Sequence, residues 1–188
     1  LEEGCYAVAT SSGMSAIQLI FELFDLNSEF LVSRDLYGGS FRYFDELERK
    51  GAQKFIYFTD EEDLKNKITD KTEAVYVETP TNPLMQEVNI EQVAKIAKQK
   101  GALLIVDNTL LTPLRQKPLI LGADIVIHSA TKYLTGHNDI LAGAVITNNE
   151  KIGERLLWLS NTTGAVLSSF DSWLFIRSLK TLPFRFNQ

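Results

Sequence analysis

A single cysteine, Cys5, has no internal partner, so no disulfide framework holds this chain together. That usage fits a reducing, cytoplasmic compartment. Histidine occurs only at 128 and 137. With no Cys/His cluster, a metal centre is not expected, although His137 and Asp139 lie close together in sequence. No block of lysine and arginine runs together and the net charge is −5, which argues against a nucleic-acid partner. No apolar run reaches the roughly 18–20 residues needed to cross a bilayer. The opening "LEEGCYAVATSSGM" has neither the basic nor the apolar region of a signal peptide. Three glycine signatures are missing as well: G-x-G-x-x-G, G-x-x-x-x-G-K-[ST] and G-x-S-x-G. Their absence argues against a dinucleotide-dependent dehydrogenase, a P-loop nucleotidase and a serine hydrolase.

What remains is ordinary globular composition, 45% hydrophobic and 23% charged, over 188 residues. Short apolar runs alternate with amphipathic segments. Strands are predicted at 29–33, 54–58, 74–78, 102–107, 124–129 and 142–147. Helices are predicted at 12–24, 40–51, 61–68, 89–101, 150–160 and 168–182. In the fourth helix Ile90, Val93, Ile96 and Ala97 share one face, and Gly101 is placed to cap it. Strands apolar on both faces and separated by helices imply a three-layer α/β/α domain with a mostly parallel sheet. One such domain is expected over 1–188, with no repeat and no linker. The chain opens at Leu1 inside patterned sequence and is expected to be a fragment of something longer.

In such a sheet a ligand sits beyond the carboxyl ends of the strands. The residues there are Glu78 with "TPTNP", Asp107 with "NT", and Ser129 with "ATK". Taken singly, each has a plain reading. Lys132 would be a solvated charge. Asp107-Asn108 would be a turn, "SSG" a helix N-cap, and Tyr37 a half-buried core aromatic. "TPTNP" would be a rigid turn set by Pro80 and Pro83.

Taken together they describe one molecule. Lys132 offers an amine to an aldehyde. Ser129, Thr131 and the helix start at "TSSGM" offer hydroxyls and free N–H groups to a phosphate. Asp107 ends an apolar strand and needs a cationic partner such as a protonated ring nitrogen. Tyr37 in "DLYGGS" offers a ring to stack on. The molecule is pyridoxal 5'-phosphate.

The blocks "SSGMSAI", "DLYGGS", "ETPTNP", "VDNT" and "SATKYLTGHND" occur in this order. They resemble the successive signature blocks of the transsulfuration family of fold-type I pyridoxal-phosphate enzymes, and "WLFIRSLKTL" resembles a further one. That family includes cystathionine γ-synthase, cystathionine β- and γ-lyases, methionine γ-lyase and O-acetylhomoserine sulfhydrylases. The resemblance implies a fold-type I large domain in which Lys132 is joined to the cofactor and later moves the α-proton. It implies that Asp107 holds the ring nitrogen protonated, and that Ser129, Thr131, Gly13 and Met14 bind the phosphate. Tyr37 would stack on the ring and assist proton transfer, Asn82 would approach the phenolic oxygen, and Thr109 would lie against the other ring face.

The resemblance further implies a sulfur amino-acid substrate, no membrane or nucleic-acid partner, and a homo-oligomer, dimer or tetramer. A cystathionine lyase is favoured, because Gly39 and Ser40 follow the lyase and synthase pattern; the γ-synthase and the sulfhydrylase stand next, and the non-enzymatic alternative is a truncated cofactor-binding domain that folds without turnover. Thr135, Leu110 and Ser178 depart from the family pattern, standing where glycine, an aromatic and glycine are usual. The family's N-terminal arm and C-terminal domain, with its carboxylate-binding arginine, are outside this chain. Arg177 and Arg185 belong to the helix block and do not replace that arginine.

Overall fold

The computed structural model describes residues 1–186. Among them a seven-stranded sheet has the order β1-β7-β6-β5-β4-β2-β3. Its strands are β1 (Tyr6–Thr10), β2 (Glu29–Ser33), β3 (Lys54–Phe58), β4 (Thr72–Glu78), β5 (Leu103–Asp107), β6 (Ile125–His128) and β7 (Gly143–Thr147). Strands β2 to β6 pair in parallel, whereas β7 runs antiparallel to both β6 and β1. The mostly parallel sheet is thus observed, with an antiparallel edge.

Both faces are covered. Helices α1 (Gly13–Phe21), α2 (Gly38–Arg49) and α6 (Glu150–Thr163) bury one face, on a core that includes Ile20, Phe30, Phe44, Tyr76, Ile105 and Ile127. Helices α3 (Glu61–Lys67) and α4 (Ile90–Gln99) bury the other, over Leu31, Val75, Val77, Leu104 and Val126. Consecutive residues of one strand go to opposite layers, which is why these strands are apolar throughout. Each fully buried aliphatic or aromatic side chain contributes about 1.5–3 kcal/mol. The aromatic share of the first core is concentrated at the β2/β3 end, where Phe44 stacks on Phe55 at 4.6 Å and Phe21 meets Phe30 edge-on at 5.0 Å. A third, smaller cluster seats α7 (Ser169–Phe186) against Ala130, Leu134, Ile140 and Ala142.

Local signals explain most boundaries. Ser12 caps α1 by accepting from Ser15 N, Asp60 caps α3, and Asn89 and Asn149 cap α4 and α6. Past the end of α4, Gly101 takes φ 73°, the left-handed value that glycine tolerates best. Two elements go beyond the sequence-based expectation: strand β1 and the short helix α5 (Thr112–Arg115). Predicted helix 12–24 ends earlier, at Phe21, and predicted helix 40–51 begins earlier, at Gly38.

Candidate active site

A cleft of about 600 Å³ opens at the carboxyl ends of β4, β5 and β6. It is lined by Gly13, Met14, Tyr37, Glu78, Asn82, Asp107, Thr109, Ser129, Thr131 and Lys132, among others. Every site residue proposed from sequence therefore meets in one place. Glu78 and Asp107 are register partners on adjacent strands, so their side chains point to the same face.

The α1 end of the cleft is built by close approach. A Cβ on Gly13 would lie 2.7 Å from Ser129 Cβ and 2.9 Å from Ser129 Oγ. Only glycine lets the start of α1 close on the turn after β6. Ser12 Oγ already serves Ser15 N at 3.0 Å, while the N–H groups of Gly13 and Met14 precede any intrahelical acceptor. Two backbone donors, the positive end of a helix and the Ser129 hydroxyl thus converge, which suits a phosphate.

Asp107 is buried, and one of its oxygens accepts from Thr109 N at 3.0 Å and Thr109 Oγ1 at 2.5 Å. Burial pushes its carboxyl above the ordinary carboxylate value, and the Thr109 hydrogen bonds only partly oppose this. A cation facing it would reverse the shift. Thr109 Oγ1 also accepts from Ser129 N at 2.8 Å. One hydroxyl therefore fixes the carboxylate and the Ser129 turn relative to each other.

Tyr37 lies over Gly39, whose absent Cβ leaves room for the ring. The ring is 46% exposed, open for stacking. Lys132 is exposed on the turn after β6 and makes no ion pair among the described residues. Thr131 reaches the cleft, but its Oγ1 donates to Ala142 O at 3.1 Å and accepts from Ala142 N at 3.0 Å. Its hydroxyl must turn before it serves a phosphate. Asn82 is exposed at the cleft rim, and its backbone N–H donates to Glu78 Oε1 at 3.1 Å.

The donor set fits pyridoxal phosphate. Gly13, Met14 and Ser129 suit its phosphate, Asp107 its ring nitrogen, Tyr37 its ring face and Lys132 its aldehyde.

Two features escaped sequence reasoning. Glu78, noted only as a strand end, is a buried carboxylate within the cleft, with a pKa raised to about 7 by burial and by Asp107. Behind the cleft, Glu2 Oε1 meets His128 Nε2 at 2.6 Å and accepts from Asn108 Nδ2 at 2.8 Å. Asn108 also accepts from Gln116 at 2.9 Å. This buried polar cluster ties the chain start to the strand ends that carry Asp107 and Ser129. No spacing rule links residues 2 and 128. Asp139 pairs with Arg177 at 2.7 Å, and Arg185 donates to the carbonyls of Tyr133, Leu134 and Ser178, behind the cleft wall that Tyr133 and Gly136 form. Both arginines hold α7 in place.

The chain is 56% identical over 190 residues to a cystathionine γ-synthase/O-acetylhomoserine (thiol)-lyase of Bacillus subtilis, covering 100% of this chain and 51% of the relative. It is 46% identical to a cystathionine γ-lyase of the same organism, covering 98% of this chain and 49% of that one. A crystal structure of cystathionine γ-lyase from Lactobacillus plantarum, complexed with L-serine, superimposes with a TM-score of 0.95 at 40% identity. That match covers 97% of this chain and 49% of the other. The chain spans about half the length of the curated relatives it matches. The profile of the family described as "Cys/Met metabolism PLP-dependent enzyme" matches residues 1–188, and the chain belongs to that family.

Proposed function

We propose that this chain is the cofactor-binding part of a pyridoxal-phosphate enzyme that cleaves cystathionine or a related sulfur amino acid by β- or γ-elimination. The observation that carries the reading is the convergence of Lys132, Asp107 and the Gly13–Ser129 contact on one cleft. When bound, pyridoxal phosphate supplies an electron sink that acidifies the Cα–H of an attached amino acid.

The chain's own groups do the rest. Gly13 N–H, Met14 N–H and the Ser129 hydroxyl anchor the phosphate, with Thr131 joining once its hydroxyl turns. Asp107, ionised against the ring nitrogen, keeps that nitrogen protonated. Tyr37 would cover one ring face and assist proton transfer, while Thr109 would lie at the other. Asn82 approaches the phenolic oxygen. Lys132 Nζ would hold the cofactor's aldehyde in the resting state and, freed when the substrate amine takes its place, would accept the proton from Cα and pass a proton to the departing sulfur. γ-Elimination needs a second proton taken from Cβ before the Cγ–S bond breaks, so the same amine would move protons more than once.

A second reading, γ-replacement, is supported by the 56% identity to a cystathionine γ-synthase/O-acetylhomoserine (thiol)-lyase. Both readings share the Cα deprotonation by Lys132. The exposed apolar side chains Trp158, Phe170, Trp173 and Ile176 support assembly into a dimer or tetramer, where they would be covered.

The full-length protein is expected to be yellow, with a visible band that borohydride abolishes. Lys132→Ala should remove that band while leaving the melting temperature near its original value, and unchanged absorbance would clear this lysine of the role. With cystathionine as substrate, pyruvate reports β-elimination and 2-oxobutyrate γ-elimination. Neither product from the yellow protein, with cystathionine made instead from O-acetylhomoserine and cysteine, decides for replacement.

A further inference from the structure

Glu78 closes β4 beside Asp107, yet the family reading gives it no task. Its two oxygens are divided between two segments. Oε2 accepts from Tyr37 N at 2.7 Å, and Oε1 accepts from Asn82 N at 3.1 Å. Tyr37 is the residue on which α2 begins, so the bond fixes both the start of that helix and the backbone that carries the stacking ring. Asn82 lies in the turn that follows β4. A side chain that serves only packing would have no reason to be a carboxylate here. Its charge is opposed by burial and by the neighbouring Asp107, and no ion pair compensates it among the described residues.

We propose that Glu78 is a positioning residue: its carboxylate clamps the backbone of Tyr37 to that of Asn82 and so sets where the Tyr37 ring covers the cofactor. The proposal rests on the cofactor reading above. A carboxylate has acceptors for both N–H groups, whereas a protonated carboxyl directs its O–H at one of them and keeps a single clean bond. The clamp is therefore tight when Glu78 is ionised and slack when it is protonated. The charged groups around it are Asp107 on β5, Asp35 in the loop after β2, and Lys132 across the cleft. The first two favour protonation, and a cation at Asp107 favours ionisation.

The test uses the full-length protein, labelled with 15N-tyrosine and stripped of cofactor. The Tyr37 amide, identified by its loss in Tyr37→Phe, should titrate with a midpoint near the value of about 7 given by the surroundings of Glu78. Glu78→Gln should abolish that titration. An amide that stays flat from acid to alkaline pH, or that titrates equally in Glu78→Gln, overturns the proposal.

In the reloaded protein, Glu78→Gln should keep the borohydride-sensitive band, melt no lower than the unaltered protein at alkaline pH, and bind cofactor roughly tenfold more weakly. The pair Glu78→Gln/Tyr37→Ala should lose no more than the larger single loss, because Glu78 acts through the ring that Tyr37→Ala removes. Additive losses overturn the proposal. Should Glu78→Gln fail to fold, Glu78→Asp carries the same comparison, since it keeps the charge but withdraws it by one methylene; unchanged affinity there counts against the clamp. A protein that never develops the band refutes the cofactor reading instead, and the Tyr37 amide titration still decides whether Glu78 holds that backbone.

Discussion

Thr109 shows how much one hydroxyl can organise. It donates to Asp107 and accepts from Ser129 N, so it joins the carboxylate end of the cleft to the phosphate end. The sequence placed it against a ring face; the structure adds that it is a strut. Thr109→Val keeps the shape and removes both bonds. A hydrogen bond to a charged group contributes about 1.5–3 kcal/mol, so cofactor affinity is expected to fall roughly tenfold or more. Cofactor titration of the cleft checks this, and affinity equal to the unaltered protein would remove Thr109 from the site's framework. Gly13, Asp107, Ser129 and Lys132 were readable because each is chemically distinctive at a strand or helix end. Glu78 was not, because its meaning lies in a bond to a residue 41 positions earlier.

At the scale of elements, the strands with short runs of large apolar residues were the easiest to read. Strands β2 and β3 fall where predicted, at 29–33 and 54–58, since each is a short apolar run flanked by turn residues, although β3 stands at the edge of the sheet opposite β1. Strand β1 escaped because "YAVAT" has no continuous run of large apolar residues. Its burial alternates, and its sole partner β7 lies at the far side of the sequence. Helix α5 has only four residues, too short for any periodicity to show. The edge strand is held in place by α6, where Gly153 sits directly on the Tyr6 ring and a Cβ would overlap it. Gly153→Ala improves helix propensity yet should destabilise the protein, since overpacking costs about 1–3 kcal/mol. Chemical denaturation measures the balance, and a more stable variant would show that β1 and α6 separate easily.

For the whole molecule, the carboxyl ends of the sheet gather acidic groups that the fold desolvates. Glu78 is raised from 4.5 to about 7 and Asp107 is raised as well, and so is Asp124 at the opposite end of the sheet, just before β6, by burial first in every case. A raised acid binds more protons folded than unfolded between its two values. Unfolding free energy therefore falls as pH rises from 4.5 towards 7, by at most about 3 kcal/mol from Glu78. The exposed acids Glu3, Glu46 and Asp63 shift the opposite way, and their effect lies at lower pH. Urea melts of the cofactor-free protein at pH 5 and pH 8 should show the decline, and Glu78→Gln should flatten it. A protein equally stable at both would contradict the burial that the fold imposes.

The sequence by itself determined the layers and the chemistry. Runs apolar on both faces require a sheet covered on both sides, and an amine, a carboxylate and hydroxyls gathered at strand ends suit a polar ligand there. Only the tertiary structure decided the couplings: which carboxylate holds Tyr37, which glycine admits Ser129, and which buried glutamate meets His128. Those depend on distances between segments far apart in the chain, and such distances are fixed by packing, which no local pattern encodes.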